Sequence, residues 1–143
     1  MGKVRNVLKA KSSSTISISP DNSVFEALEL MVEKNIGALL VIEQTTFTGI
    51  FTERDYARKI ILKGKASKDT PIREIMTPNP ITVNLDTTIE ECMHIMTNKF
   101  IRHLPVMEKE ELIGIISIGD VVKYIIDEQK FIIQNLEHYI AGT

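Results

Sequence analysis

The sequence predicts a mixed α/β (α+β) protein made of two pseudo-symmetric repeats, each running strand–helix–strand–strand–helix. Three observations carry that prediction. First, the chain repeats itself: an ungapped offset of 65 residues lays Ile16–Arg58 on Ile81–Lys123, and 12 of the 43 positions are identical. They are Ile16/Ile81, Asp21/Asp86, Glu26/Glu91, Met31/Met96, Lys34/Lys99, Ile36/Ile101, Leu39/Leu104, Val41/Val106, Glu43/Glu108, Gly49/Gly114, Ile50/Ile115 and Asp55/Asp120. Second, hydrophobic periodicity switches between the two-residue spacing of strands and the 3–4-residue spacing of helices at matching points in both copies. Third, a repeat of roughly 60 residues buries too little surface to be comfortably stable alone, so two copies packed about a pseudo-twofold axis are expected.

The elements follow in order. Thr15-Ile16-Ser17-Ile18 and Ile81-Thr82-Val83 alternate as short strands do. Ser23 and Thr88 then stand three residues before Glu26 and Glu91, a capping-box spacing that starts a helix. Val24, Ala27, Leu28 and Met31, mirrored by Ile89, Cys92, Met93 and Met96, fall at i, i+3, i+4 and i+7, giving each helix one apolar face. Two strands come next, Ala38–Ile42 and Thr48–Thr52, then Leu104–Met107 and Leu112–Ser117, each pair joined by a polar turn. A second helix closes each copy, Glu53 to about Lys63 and Ile118 to about Ile140. Residues 1–65 thus form the first repeat and 81–143 the second, whose last helix is extended. Residues 66–80 form a linker in which Pro71, Pro78 and Pro80 bracket one helical turn over Ile72–Met76. That turn echoes Val4-Arg5-Asn6-Val7-Leu8 near the N-terminus.

Composition excludes several function classes. Seventeen Lys and Arg against 19 Asp and Glu give a net charge of −2, without the basic excess on which general nucleic-acid binding depends. One cysteine allows no intramolecular disulfide and no cysteine-based metal cluster, and fits a reducing compartment. No apolar run reaches 18 residues, and the first 15 residues lack a secretory apolar stretch, so a soluble cytoplasmic protein without membrane association is expected. Cys92 lies on an apolar helical stripe and reads as core; His94 and His138 have no partners at metal-ligand spacing. Arg54, Arg58, Lys59, Lys63, Lys65 and Lys68 read as a solvated face. No nucleophile–base pair, glycine-rich phosphate loop or paired carboxylates occur.

Two constellations remain. Thr52-x-x-Asp55 and Ser117-x-x-Asp120 stand where the last strand of each repeat turns into its closing helix. A hydroxyl three residues before a carboxylate is an N-cap arrangement. The same corner would suit a nucleotide, because helix-start N–H groups attract phosphate and a carboxylate accepts ribose hydroxyls. Arg102-His103 precedes the apolar strand Leu104-Pro105-Val106 and reads either as a solvated strand entrance or as phosphate-directed cations. The aligned residues of the first copy, Gly37 and Ala38, would instead admit a flat ring, and Arg54 aligns with Gly119, so the two corners are unequal.

The repeat, the element order and the phrases GIFTERDYARK, IRHLPV and GIISIGDVV resemble a tandem CBS (cystathionine-β-synthase) domain pair, a Bateman module, over about residues 4–125. The resemblance is to small stand-alone CBS-pair proteins. It implies that the hydroxyl–Asp pairs hold the ribose and phosphate of an adenine nucleotide such as AMP, ADP, ATP or an NAD-type ligand. It also implies that backbone groups around Ser17-Ile18 and Thr82-Val83 meet the adenine edge. Ligand-contacting residues would then be Ser17, Ile18, Gly37, Ala38, Thr52, Arg54 and Asp55 in one copy. Thr82, Val83, Arg102, His103, Leu104, Pro105, Ser117 and Asp120 would serve in the other. A nucleotide-sensing regulatory module without catalytic activity is the leading expectation. A ligand-independent module that binds an unidentified protein target is the alternative. A homodimer is expected, because Val122, Ile125, Ile132, Ile133, Leu136, Tyr139 and Ile140 carry an apolar face beyond the end of the repeat.

Overall fold

The computed structural model describes residues 2–11 and 15–141, which form two compact units: 14–81, and 82–143 together with 1–13. In the unit of 14–81, β1 (Ser17–Ile18), α2 (Val24–Lys34), β2 (Ala38–Glu43) and β3 (Thr46–Thr52) appear in the predicted order. The closing helix follows as one α-turn, α3 (Glu53–Asp55), continued by a π-helical stretch over Tyr56–Ile61. The wider winding shows in Leu62 N–H donating to the Ala57 carbonyl five residues back. The linker turn becomes α4 (Ile72–Ile75), followed by a strand not foreseen from sequence, β4 (Thr77–Pro78). The sheet runs β1-β2-β3-β4, with β1 parallel to β2 and the other pairs antiparallel. Pro78, which has no N–H, sits on the edge strand where a missing donor costs least.

The other unit is led by α1 (Val4–Ala10) and contains α5 (Ile89–Lys99), β5 (His103–Glu108), β6 (Glu111–Ser117) and α6 (Ile118–Ile140). The expected strand over Ile81-Thr82-Val83 shrinks to a single bridge between Val83 and Val106. The cause is one residue. In the first unit Leu40 N–H donates to the Ile16 carbonyl at 3.4 Å, but its counterpart is Pro105, which has no N–H to offer Ile81. The Val83 N–H to Pro105 carbonyl and Met107 N–H to Val83 carbonyl bonds survive, at 3.0 and 2.8 Å.

Elsewhere the copies agree closely. Ser23/Glu26 and Thr88/Glu91 form reciprocal capping boxes. Asn35 and Phe100 end the two helices with left-handed φ of 53° and 56°, and the hairpin residues Gln44 and Lys109 share φ of 56° and 59°. The first core joins Val24, Ala27, Met31, Leu39, Val41, Phe51 and Ile60 to Ile72 and Ile75 of α4. The second joins Ile89, Cys92, Met96, Leu104, Val106, Ile116 and Val121 to Val4 and Val7 of α1. Each echoing helix therefore completes the unit built on the other copy. Met93, expected on the buried stripe, is 43% exposed.

Candidate functional site

Hairpin register brings the predicted residues into two corners. In the first unit Ala38 lies opposite Thr52, and the Gly37 carbonyl accepts the Glu53 N–H at 3.2 Å. In the second His103 lies opposite Ser117, and the Arg102 carbonyl accepts the Ile118 N–H at 2.9 Å. Each strand entrance is thus bonded to the start of the closing helix. Ser17 and Ile18 pair with Leu40 and Val41, further along β2 from the corner, while Val83 bridges Val106 and Thr82 is exposed. Leu104 belongs to the core, Pro105 is buried beside it, and Arg54 and Arg102 are on the surface.

The capping reading of both corners holds. Asp55 N–H donates to Thr52 Oγ1 at 3.2 Å, and Asp55 Oδ2 accepts from Thr52 N–H at 3.0 Å and Thr52 Oγ1 at 3.1 Å. In the second corner Asp120 N–H donates to Ser117 Oγ at 3.1 Å, and Asp120 Oδ2 accepts from Ser117 N–H at 2.8 Å.

Beyond the caps the corners diverge. Asp55 is 6% exposed, and its Oδ1 accepts from Thr77 Oγ1 at 3.0 Å and from Lys59 Nζ at 3.0 Å. Lys59 also donates to the Ile75 carbonyl at 3.0 Å. Lys59 therefore departs from the solvated face assigned to its stretch: it turns inward and ties α3 to α4. Both oxygens of Asp55 are engaged by protein donors. Asp120 has a different surround. Its Oδ2 also accepts from Lys11 Nζ at 2.7 Å, and Lys11 donates to the Ile115 carbonyl at 3.0 Å. Oδ1 of Asp120 has no hydrogen-bond partner among the described residues. Among the described residues, the second corner thus leaves one carboxylate oxygen without a protein donor, and the first does not.

Electrostatics follow from these contacts. Burial pushes the Asp120 carboxyl upward, but the Lys11 ammonium and the Ser117 N–H outweigh it and hold the group below the usual carboxylate range. His103 moves down from 6.5, chiefly through burial and then through repulsion by Lys11, with Asp120 opposing. Burial and the Lys11 charge both favour the neutral imidazole, the form with one N–H donor. Cys92 is fully buried, and burial pushes its thiol up to about 11. Asn98 Nδ2 lies 2.8 Å from His94 Nε2. Among the described residues no three His, Cys, Asp or Glu side chains cluster as metal ligands, and no helix is long and apolar enough to cross a membrane.

Sequence reasoning missed Lys59, Thr77 and Lys11. Lys59 had a local signal, the i, i+4 spacing from Asp55. Thr77 and Lys11 reach their carboxylates from 22 and 109 residues away. The echo between Val4–Leu8 and Ile72–Met76 was the sole hint, since each of the two follows one of these helices.

Comparison with known proteins agrees with this architecture. The family model of the CBS domain matches residues 4–62 and 72–127. The chain is 40% identical over 148 residues to the CBS domain-containing protein CBSX3, mitochondrial, of Arabidopsis thaliana, covering 97% of this chain and 72% of that one. Among solved structures it is similar to a putative signal-transduction protein with CBS domains from Burkholderia ambifaria. There the TM-score is 0.85 at 44% identity, over 89% of this chain and 96% of that one. It is also similar to CBSX2 in complex with AMP, with a TM-score of 0.72 at 26% identity over 90% and 99% of the two chains. The chain belongs to the CBS domain family.

Proposed function

From membership of the CBS domain family and the geometry of the second corner, we propose that this protein is a regulatory module, without catalytic activity, that senses an adenine nucleotide. The observation that carries the reading is Asp120. It is ionised, fixed at the N-terminus of α6 by Ser117, and keeps Oδ1 open to a ribose hydroxyl. The dipole at the start of α6 favours a phosphate nearby, although the Ile118 and Asp120 N–H groups are spent on the Arg102 carbonyl and Ser117 Oγ. Arg102, exposed just before β5, adds a guanidinium. The AMP bound in the CBSX2 structure supports a nucleotide of this class. AMP, ADP, ATP and NAD-type ligands all share the adenosine moiety whose ribose Asp120 would meet.

The module acts as a homodimer. On α6, Val122, Ile126, Ile132, Ile133, Leu136, Tyr139 and Ile140 are each at least 42% exposed, an apolar stripe that a second copy would cover; Ile125, expected on this face, packs against the core instead. A cytoplasmic location fits Cys92 held as a buried thiol; the mitochondrial label in the Arabidopsis relative's name is said of that protein. Titrating AMP, ATP and NAD against the purified protein tests the reading. A nucleotide at 100 times its Kd stabilises the fold by about 2.7 kcal/mol, a melting shift of several degrees. If no adenine nucleotide shifts the transition or gives heat, the chain is instead the ligand-independent interaction module.

A further inference from the structure

Lys11 enters the second corner from a segment that no functional pattern in the sequence marks. Its ammonium has three N–H donors, and two are spent, on Asp120 Oδ2 at 2.7 Å and the Ile115 carbonyl at 3.0 Å. Its side chain is 25% exposed, so the charge is held at the corner, and among the described residues the third donor has no partner. The need for such a charge is physical. A carboxylate placed to accept ribose hydroxyls stands a few bonds from the nucleotide's phosphate and repels it. The other basic residues do not cancel that repulsion equally well: burial and the Lys11 charge shift His103 toward its neutral form, and Arg102 is exposed to solvent and its screening.

The first corner offers a contrast. Thr77, two residues past the end of α4, contacts Asp55, and Lys11, immediately past the end of α1, contacts Asp120. At Asp55 the Thr77 hydroxyl and the Lys59 ammonium both engage Oδ1, whereas at Asp120 Lys11 engages Oδ2 and, among the described residues, leaves Oδ1 without a hydrogen-bond partner.

We propose that Lys11 is a specificity-determining residue of the Asp120 corner, cancelling the carboxylate's charge so that the corner takes a 5′-phosphorylated nucleoside in preference to the bare nucleoside. This rests on the nucleotide reading of that corner. The test is calorimetric titration of AMP and adenosine into the wild type and the Lys11→Met, Lys11→Arg and Asp120→Ala variants, at two salt concentrations. Lys11→Met should weaken AMP about tenfold or more, the size of one lost charge-assisted contact, while adenosine changes less than about twofold. Its AMP affinity should also depend less on salt. Lys11→Arg, which keeps the charge, should restore the preference for AMP and guards against a variant that merely folds poorly. If AMP and adenosine weaken equally in Lys11→Met, or neither changes while Asp120→Ala loses AMP, the role of Lys11 is overturned and the nucleotide reading stands. If the wild type binds neither, both fall together.

Discussion

Replacing each corner carboxylate by alanine should separate a structural corner from a binding one. Asp55 is 6% exposed and accepts four protein donors: Thr52 N–H, Thr52 Oγ1, Thr77 Oγ1 and Lys59 Nζ, all within 3.0–3.1 Å. Asp55→Ala orphans the Thr52 N–H and the Thr77 hydroxyl, and a buried group left unpaired costs about 1–3 kcal/mol. Lys59 adds little, because its side chain is 37% exposed and its ammonium can turn to water. The expected loss is about 3 kcal/mol, or roughly 10 °C for a chain of this length. Asp120→Ala removes the acceptor of the Ser117 N–H and of Lys11, together with the Ser117 hydroxyl contact, all from a carboxylate more exposed than Asp55. Asp120→Ala should therefore cost about 1–2 kcal/mol, close to an ordinary N-cap loss. Nucleotide binding should reverse the order. Asp55→Ala keeps the stabilisation given by AMP, while Asp120→Ala loses about 10-fold or more in affinity. Urea and thermal unfolding of both variants, with and without AMP, measure all four quantities. An Asp120→Ala variant as unstable as Asp55→Ala would refute the asymmetry, as would an Asp55→Ala loss below about 1 kcal/mol.

Two further outcomes follow from the same geometry. Charging the α6 stripe with Ile133→Glu and Leu136→Glu, at positions 52% and 55% exposed, should convert a dimer of twice the 16.2 kDa chain mass to a monomer by light scattering; an unchanged mass, or a wild type that is already monomeric, refutes the dimer. Gly49→Ala should cost about 1–3 kcal/mol, because a Cβ there would lie 2.6 Å from the Thr77 carbonyl oxygen and force β3 and β4 apart. Gly114→Ala, at the matching repeat position, should cost less, since the nearest atom is a Leu8 methyl at 3.2 Å that can rotate away. Equal losses in urea unfolding would show the pairing with β4 to be irrelevant.

The sequence by itself determined the parts that local chemistry dictates. A 65-residue self-similarity and two apolar periods were enough for the helix–strand–strand–helix order shared by both copies. Hydroxyl-to-carboxylate spacings marked four capping boxes, and α6 spans Ile118–Ile140 as its apolar stripe implied. The hydroxyl–Asp corners were legible because cap and carboxylate are three residues apart on one helical turn.

The tertiary structure alone decided whatever depends on partners distant in the chain. Pro105 reads as an unremarkable strand residue until its missing N–H is set against the carbonyl of Ile81, and the lost bond leaves one bridge where a strand was expected. The echo of Val4–Leu8 in Ile72–Met76 showed two similar turns but not which core each would complete; α1 packs with 82–143 and α4 with 14–81. That choice brings Thr77 to Asp55 and Lys11 to Asp120, and so makes one corner closed and the other open. Part of this difference is local, since Lys59 stands four residues after Asp55 where the second copy has Tyr124 after Asp120. The rest is the distant donor that folding brings to each carboxylate, the Thr77 hydroxyl from 22 residues away or the Lys11 ammonium from 109.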